Sequence, residues 1–207
     1  MSNSVTSICN MALSRIGASR IEDYENEASI EAIQCRLHYP QTRDALLRSH
    51  FWRFAKSRAT LSQDGDTPEF QWDYQYALPN DFLRMISVYT DSNEVAGSTI
   101  ETYELEGKML LSNEETIEIR YIRKVTDPTE FDSLFVEILY LWLALKLIIP
   151  LAQDFKGRQD IVKDLGPLYA ATRAMDRSET NTIGRVDLST WVDARLTNDT
   201  RIPSKMG

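Results

Sequence analysis

The stretch Tyr39–Leu61, YPQTRDALLRSHFWRFAKSRATL, contains the change from helical to strand-like sequence that decides the fold. An apolar helical pattern ends at Leu47, and the aromatic residues Phe51, Trp52 and Phe54 follow closely. After them the pattern has a period of two, which is typical of a β-strand. We interpret the three aromatic residues as a structural hinge that packs inside the protein and joins a helical part to a β part.

Two helical patterns precede this hinge. A first helix is predicted over Val5–Ile16, because apolar residues recur there at helical spacing and Gly17 supplies a stop. A second helix is predicted after an N-cap at Asn26, with a kink or break near Arg36–Tyr39 because Pro40 has no N–H to donate. The apolar residues expected on one face of this helix are Ile30, Ile33, Leu37 and Leu47.

The segment after the hinge predicts β-strands. Bulky and smaller or polar residues alternate over Phe70–Leu78, which is the clearest strand pattern in the chain. Phe82–Thr90 and Thr116–Val125 are predicted as further strands, and a hairpin is expected between Thr99 and Leu111. Because short turns join these segments, we expect four or five antiparallel strands in a small sheet or sandwich.

Two more helices are predicted after the strands. Asp127 and Pro128 form a typical helix start. The segment Leu134–Leu151 that follows is apolar nearly all round, so its helix should be central in a bundle or covered by neighbouring subunits. A last long helix is predicted over about Gln153–Glu179.

The predicted fold class is α+β: an antiparallel bundle of about four helices with an inserted small antiparallel β-subdomain and an extended C-terminal tail. The bundle takes residues 1–61 and 126–179, the β-subdomain residues 62–125, and the tail residues 180–207. A polar tail with sparse apolar anchors is typical of a segment that orders on a partner. The residues expected to dock on that partner are Ile183, Val186, Leu188, Trp191, Val192 and Leu196.

Composition narrows the classes of protein that this chain can be. It has 207 residues with a net charge of -8, which argues against a general nucleic-acid or anionic-membrane binder, since those carry a basic surface. Glu137 and Lys146 interrupt the most apolar segment, which leaves too little uncharged length for a membrane span of ~20 residues. Cys9 and Cys35 make no disulfide framework and are interpreted as small buried residues. We therefore predict a soluble protein of a reducing compartment.

Motifs of catalysis are absent from the sequence. It contains no HExxH, nucleophile elbow, P-loop or GxGxxG. Cys35 and His38 lack a second pair of ligands that would complete a metal site. We expect no catalytic residue, metal or cofactor. Two alternatives stay open: an acidic cell-wall glycan hydrolase that acts through a carboxylate pair, and a nucleic-acid-binding module that uses the aromatic and cationic residues of Phe51–Arg58.

The hinge stretch also matches the pattern of a known family. Tyr39–Leu61 has the form YP-x-x-R-D-x-L-L-x-x-H-x-W-x-F-A-x-x-R-A-x-L and resembles tail tubular protein A, the head-to-tail adaptor of short-tailed bacteriophages. The chain departs from the pattern at Phe51 and Arg53, where family members often have Pro or Asn. Four further segments occur in the order typical of the family, namely Glu22–Ala28, Leu78–Arg84, Phe131–Glu137 and Ala171–Asp176.

The resemblance implies a structural virion protein and not an enzyme. Adaptors of this family form a homo-oligomeric ring, usually dodecameric, that binds the portal protein and connects it to the tail nozzle, with tail fibres as further candidate partners. Genomic DNA passes through the lumen without specific binding, and no membrane is involved. The implied location is the tail or neck of the virion, after synthesis in the host cytoplasm. We expect the tail and the bundle to contact the portal, and the β-subdomain to face a neighbouring subunit or the next tail component.

Overall fold

Within residues 4–90 and 102–179, which this computed structural model describes, the chain forms four α-helices and two three-stranded antiparallel sheets. The predicted α+β class is therefore confirmed, and the predicted tail lies outside the described residues. The helices are α1 (Val5–Arg15), α2 (Ile30–Ser49), α3 (Ser133–Ala152) and α4 (Phe155–Glu179). The strands lie between α2 and α3 and are β1 (Lys56–Thr60), β2 (Tyr74–Ala77), β3 (Phe82–Tyr89), β4 (Glu104–Glu106), β5 (Met109–Ser112) and β6 (Glu118–Arg123).

Helix α3 lies at the centre of the helical layer, as its sequence predicts. Helices α1, α2 and α4 all pack against it, and side chains on several of its faces are buried, among them Phe135, Ile138, Leu143 and Leu147. Contrary to the expectation from Glu137 and Lys146, α3 is long and apolar enough to cross a bilayer by length and composition alone. Three helices cover it in this fold, which is the arrangement of a core helix and accounts for its apolar sequence.

Two predicted helix starts are wrong. The start of α2 is capped by Ser29, whose hydroxyl accepts a hydrogen bond from the backbone N–H of Ala32. Asn26 instead donates its side-chain amide to Asp23 and belongs to the preceding loop. Asp127 caps a single 3-10 turn, and α3 begins only after Asp132, whose carboxylate accepts from the backbone N–H of Leu134 at 2.8 Å. In both cases the observed cap lies nearer than the predicted cap to the first buried turn of the helix.

Of the kink or break predicted near Arg36–Tyr39, the break is absent, because α2 is one helix from Ile30 to Ser49. Proline removes one hydrogen bond from the helix, yet buried residues on both sides of it hold the two halves in place. Cys35 and Tyr39 precede Pro40 and are buried. Leu46 follows it and is buried as well. Tertiary packing therefore outweighs the local cost of the proline.

The first sheet lies between the helices and the second sheet. Its strand order is β1-β6-β3, and the order of the second sheet is β2-β5-β4. On the central strand β6, Ile122 joins the apolar core of the helices. Ile119 and Tyr121 join a separate apolar cluster that includes Tyr76 and Leu110 of the second sheet. The β part therefore has its own core, and Ile122 connects it to the helical layer.

The strand predicted over Phe70–Leu78 is shorter than its alternating pattern indicates. Phe70 is 78% exposed, and Gln71 has a φ of 72°, so the chain leaves the extended conformation before β2 begins at Tyr74. The predicted hairpin is present as β4 and β5, joined at Gly107, whose φ of 58° favours glycine. Residues 99–101 of that prediction lie outside the described residues.

Trp52 and Phe54 of the hinge belong to the apolar core of the helices or pack against it. Trp52 is 2% exposed, and its ring meets the ring of Phe135 edge-on at a centroid distance of 5.1 Å. Its indole N–H donates to the backbone carbonyl of Leu46 at 2.8 Å. Half-buried Phe54 contacts the ring of Phe135 at 5.0 Å and also that of Phe131. This cluster joins the end of α2 to the start of α3.

Phe51 has a different environment on the sheet side of the hinge. The guanidinium of Arg84 on β3 lies 4.4 Å from the centre of its ring. The same guanidinium donates to the backbone carbonyl of Arg48 at 3.1 Å, while Arg48 donates to the carbonyl of Leu83. These reciprocal hydrogen bonds attach the last turn of α2 to β3 and satisfy a carbonyl that a helix end leaves without a partner.

Asp44 also connects α2 to the sheet, through two cations. Its carboxylate lies 2.7 Å from the guanidinium of Arg43 and 2.9 Å from the ammonium of Lys124. The side chain of Arg43 is only 8% exposed, so it depends on this carboxylate as its counter-charge. Removing one partner of a buried ion pair leaves the other charge uncompensated.

We expect Asp44→Ala to lower the free energy of unfolding by about 2–3 kcal/mol, less than for a fully buried pair because Asp44 is partly exposed. Lys124→Met should cost less than ~1 kcal/mol, since Lys124 is the exposed partner. Urea denaturation measures both variants. Equal losses for the two would contradict the role given to Arg43.

Candidate interaction surface

The face of α2 opposite the core carries exposed apolar side chains. Ile30, Ile33 and Leu37 are 66%, 48% and 55% exposed and follow one another at helical spacing, so they form one stripe. We call these three side chains the α2 stripe. The interpretation of Ile30, Ile33, Leu37 and Leu47 as one packed face is therefore wrong, because of these four only Leu47 is buried.

The buried face of α2 mixes small, aromatic and polar residues. Thr42 is buried and donates its hydroxyl to the backbone carbonyl of His38 at 2.8 Å. The guanidinium of Arg43 lies 5.9 Å from the centre of the buried ring of Tyr39. Because this buried face includes polar residues, the spacing of apolar residues in the sequence predicted that the opposite side of α2 would be buried. The other buried residues of α2 are Ala32, Cys35, Leu46 and Leu47.

The two cysteines meet where α1 packs against α2. Cys9 and Cys35 are both fully buried, and a hydrogen bond joins their side chains. That hydrogen bond and burial raise the pKa of the Cys9 thiol. Protonation makes the Cys9 thiol a poor nucleophile, while the same hydrogen bond lowers the pKa of Cys35. These positions confirm the prediction of two small buried residues.

A groove of about 610 Å³ runs beside the α2 stripe, between α2 and α4. Half-buried Trp142 and Leu145 of α3 contribute its apolar lining, and Lys146 and Arg158 contribute cations. Neither cation forms an ion pair within the part of the chain that the structure describes. The groove is also lined by His38, Gln41, Thr42 and Ala45.

Tyr169 attaches α4 to the other side of this groove. Its ring lies 6.1 Å from that of Trp142, and its hydroxyl donates to the hydroxyl of Ser49 at 2.8 Å. Arg15 of α1 and Asp164 of α4 form an ion pair that also fixes α4. Helix α4 is therefore held at both flanks while the groove between α2 and α4 stays open.

Exposed apolar residues of α4 extend the apolar surface on the far side of the groove. Phe155 is 70% exposed and Val162 is 49% exposed. They lie three residues before and four residues after Arg158, so they share a side of α4 with this groove residue. Leu37 lies four residues before the groove residue Gln41 and so shares a side of α2 with it. We call the α2 stripe, the groove, Phe155 and Val162 together the α2–α4 surface.

Such a surface is the kind of feature that marks a protein–protein contact, because monomeric proteins rarely expose contiguous apolar patches of large area. The groove combines an apolar lining, from Trp142 and Leu145, with the cations of Lys146 and Arg158. Protein interfaces likewise combine apolar and polar surface. The candidate site is therefore an interaction surface.

The acidic segment Glu22–Ala28 is folded against the start of α2. Arg36 donates to the backbone carbonyls of Tyr24 at 2.7 Å and Glu27 at 2.8 Å. The carboxylate of Glu27 accepts hydrogen bonds from the Ser29 hydroxyl and from the backbone N–H of Glu22, and both lower its pKa. The carboxylate of Glu27 thus orders the loop.

Three carboxyl groups among the described residues have a shifted pKa, and in each the pKa is lowered. Apart from Glu27, lowered pKa values are found for Asp23, through a hydrogen bond from Asn26, and for Asp127, through the backbone N–H of Thr129. A general acid needs a pKa shifted in the opposite direction. Across residues 4–90 and 102–175, no group of three or more His, Cys, Asp or Glu side chains could hold a metal ion.

The predicted stacking surface of Phe51–Arg58 is largely used inside the protein. Trp52 is buried, and Phe54 packs against the rings of α3. These aromatics are therefore not displayed for stacking on nucleic-acid bases. The predicted docking residues Ile183, Val186, Leu188, Trp191, Val192 and Leu196 lie outside the described residues.

No protein-family model matches this chain, and no curated protein matches it significantly. The resemblance carried by Tyr39–Leu61 is therefore an inference from the residues themselves. The α2–α4 surface provides a separate, structural reason to expect a protein partner.

Proposed function

We propose that this protein is a structural virion protein of a short-tailed bacteriophage, a head-to-tail adaptor that assembles as a homo-oligomeric ring on the portal. The ring would connect the portal to the tail nozzle and form part of the DNA ejection channel. The family is suggested by the sequence pattern of Tyr39–Leu61. The observation that carries the proposal is the α2–α4 surface, since it gives the chain an apolar face to bury against another subunit.

A closed ring needs two different contact faces on each subunit, because head-to-tail contacts repeat around the axis. The α2–α4 surface is proposed as one of these faces, and in the ring it packs against a different face of the neighbouring subunit. Helix α3 contacts both α2 and α4 and so fixes the two sides of this surface relative to each other.

The net charge of -8 suits the wall of a DNA channel. Tight binding to DNA comes from neutralising phosphates with Lys and Arg, and an acidic protein does this poorly. Residues 180–207 are proposed to contact the portal through their sparse apolar anchors. Both statements follow from the adaptor proposal and are tested with it.

Native mass measurement and negative-stain microscopy, on the protein alone and mixed with its portal, test the proposal. We expect a ring of about a dozen copies on the portal, as for a cyclic assembly that matches its partner. A protein that does not associate with the portal would contradict the adaptor role. Portal binding that is unchanged after deletion of residues 180–207 would contradict the role of the tail.

A further inference from the structure

Two arginines lie directly opposite each other on the first sheet. Arg58 of β1 and Arg120 of β6 are partners in the antiparallel ladder. Residues paired in this way point to the same side of a sheet, with their Cβ atoms ~5 Å apart. Both side chains line a cavity of about 580 Å³ on the side of the sheet that also carries Tyr89 and Thr60.

The local environment favours an anion. The guanidinium of Arg120 lies 5.8 Å from the centre of the Tyr89 ring, and its buried Nε has no hydrogen-bond partner among the described residues. Lys56 lies two residues before Arg58 and so on the same face of β1. Glu118 also lines the cavity, but no ion pair joins it to either arginine in the part of the chain that the structure describes.

This pairing costs stability in the empty protein. Like charges directly opposite each other in a sheet destabilise it. Two arginines opposite each other are unexpected in an acidic chain, which carries 31 Asp and Glu against 23 Lys and Arg. An oxyanion between the two guanidinium groups would remove the repulsion and supply acceptors for their N–H donors. Guanidinium groups bind phosphate oxygens in paired, charge-assisted hydrogen bonds.

We propose that Arg58 and Arg120 form a binding site for a phosphate group, carried either by a nucleic-acid backbone or by a small phosphorylated ligand. Arg120 is held in place by Tyr89, and exposed Arg58 closes on the anion from β1. Lys56 adds a third positive charge beside the site. The inference goes beyond the adaptor role and concerns the isolated chain, so either can fail without the other.

Thermal unfolding of the full chain tests the site with inorganic phosphate as the probe. At matched ionic strength, phosphate should raise the Tm of the wild type above its value in chloride, by about 3–6 °C at ten times Kd. In chloride, Arg58→Gln should raise the Tm by about 1–3 °C, since it removes the repulsion. The Tm of Arg58→Gln should not rise further when phosphate replaces chloride.

The matched control is Arg20→Gln, which removes the same charge from an exposed position in the loop between α1 and α2. This variant should keep the phosphate gain of the wild type. An equal gain in all three proteins would overturn the site, because phosphate would then act only as a stabilising salt. The absence of any gain in the wild type would overturn it as well.

A short labelled DNA duplex distinguishes the two sources of phosphate. If the ligand is a nucleic-acid backbone, Arg58→Gln should weaken binding and reduce the slope of log K against log salt by about 1, while Arg20→Gln does not. If both variants bind the duplex alike while only Arg58→Gln loses the phosphate gain, the ligand is a small phosphorylated molecule. The Tm comparison tests whether the phosphate site exists, and the duplex experiment tests whether the phosphate belongs to a nucleic acid.

Discussion

Trp52→Ala is expected to lower the free energy of unfolding by about 3–5 kcal/mol, the range for removal of a large buried aromatic side chain. Trp52 is 2% exposed and packs against Phe135 of the central helix. The variant also leaves the carbonyl of Leu46 without the indole N–H that it accepts. Because Trp52 belongs to the apolar core that the helices share with Ile122 of β6, both parts should lose stability together.

Denaturation in guanidinium chloride, followed by circular dichroism, measures this effect. Phe70→Ala is the control, since Phe70 is 78% exposed and its removal should change the free energy of unfolding by less than ~0.5 kcal/mol. Trp52→Phe should lose about 1–2 kcal/mol, because it keeps most of the packing but not the hydrogen bond. A loss below ~1.5 kcal/mol for Trp52→Ala would show that the hinge cluster is not central to the fold.

The double variant Ile33→Glu, Leu37→Glu should prevent ring assembly while leaving the subunit folded. Both side chains are about half exposed, so charge at these positions is tolerated in the free subunit. In a ring, burying the exposed half of these two side chains contributes about 1.5–3 kcal/mol per contact. Losing it weakens each contact by about 10- to 10²-fold.

Negative-stain microscopy with the portal and the Tm of the isolated subunit separate assembly from folding. The control Ser7→Glu, Ser14→Glu adds the same charge to exposed positions on α1 and should assemble like the wild type. Normal rings from the α2 double variant would exclude the α2 stripe as the contact between subunits. A large fall in its Tm would show that the stripe supports the subunit itself.

The hinge was predictable because its evidence is local. An apolar helix end, a tight aromatic cluster and a change of period lie within Tyr39–Leu61, and each has a structural meaning without knowledge of distant residues. The central position of α3 was predictable for the same reason. A helix that is apolar nearly all round must be covered, and α1, α2 and α4 cover it.

The orientation of α2 was not predictable from apolar periodicity. Its buried face includes Thr42 and Arg43, which satisfy their polar groups through the carbonyl of His38 and through Asp44. The most apolar side chains of its first half, the α2 stripe, face outward. A surface that serves a partner departs from the pattern of a self-contained fold, so periodicity fails at the candidate site.

The phosphate site lay equally beyond sequence reasoning. Arg58 and Arg120 are far apart in the chain, and the register of β1 on β6 alone brings them opposite each other. Their side of the sheet also depends on which apolar residues face the second sheet, such as Ile119 and Tyr121. A one-residue change of register would have separated the two arginines.

The order of the elements along the chain has a consequence for synthesis on the ribosome. Helices α1 and α2 emerge first, but their common partner α3 begins at Ser133, after the six strands that the structure describes. At typical rates of translation, the apolar faces of α1 wait roughly 5–25 s for that partner. Nascent chains that end before α3 should therefore bind holdase chaperones through Ile8 and Leu13, and release should coincide with emergence of α3 from the exit tunnel.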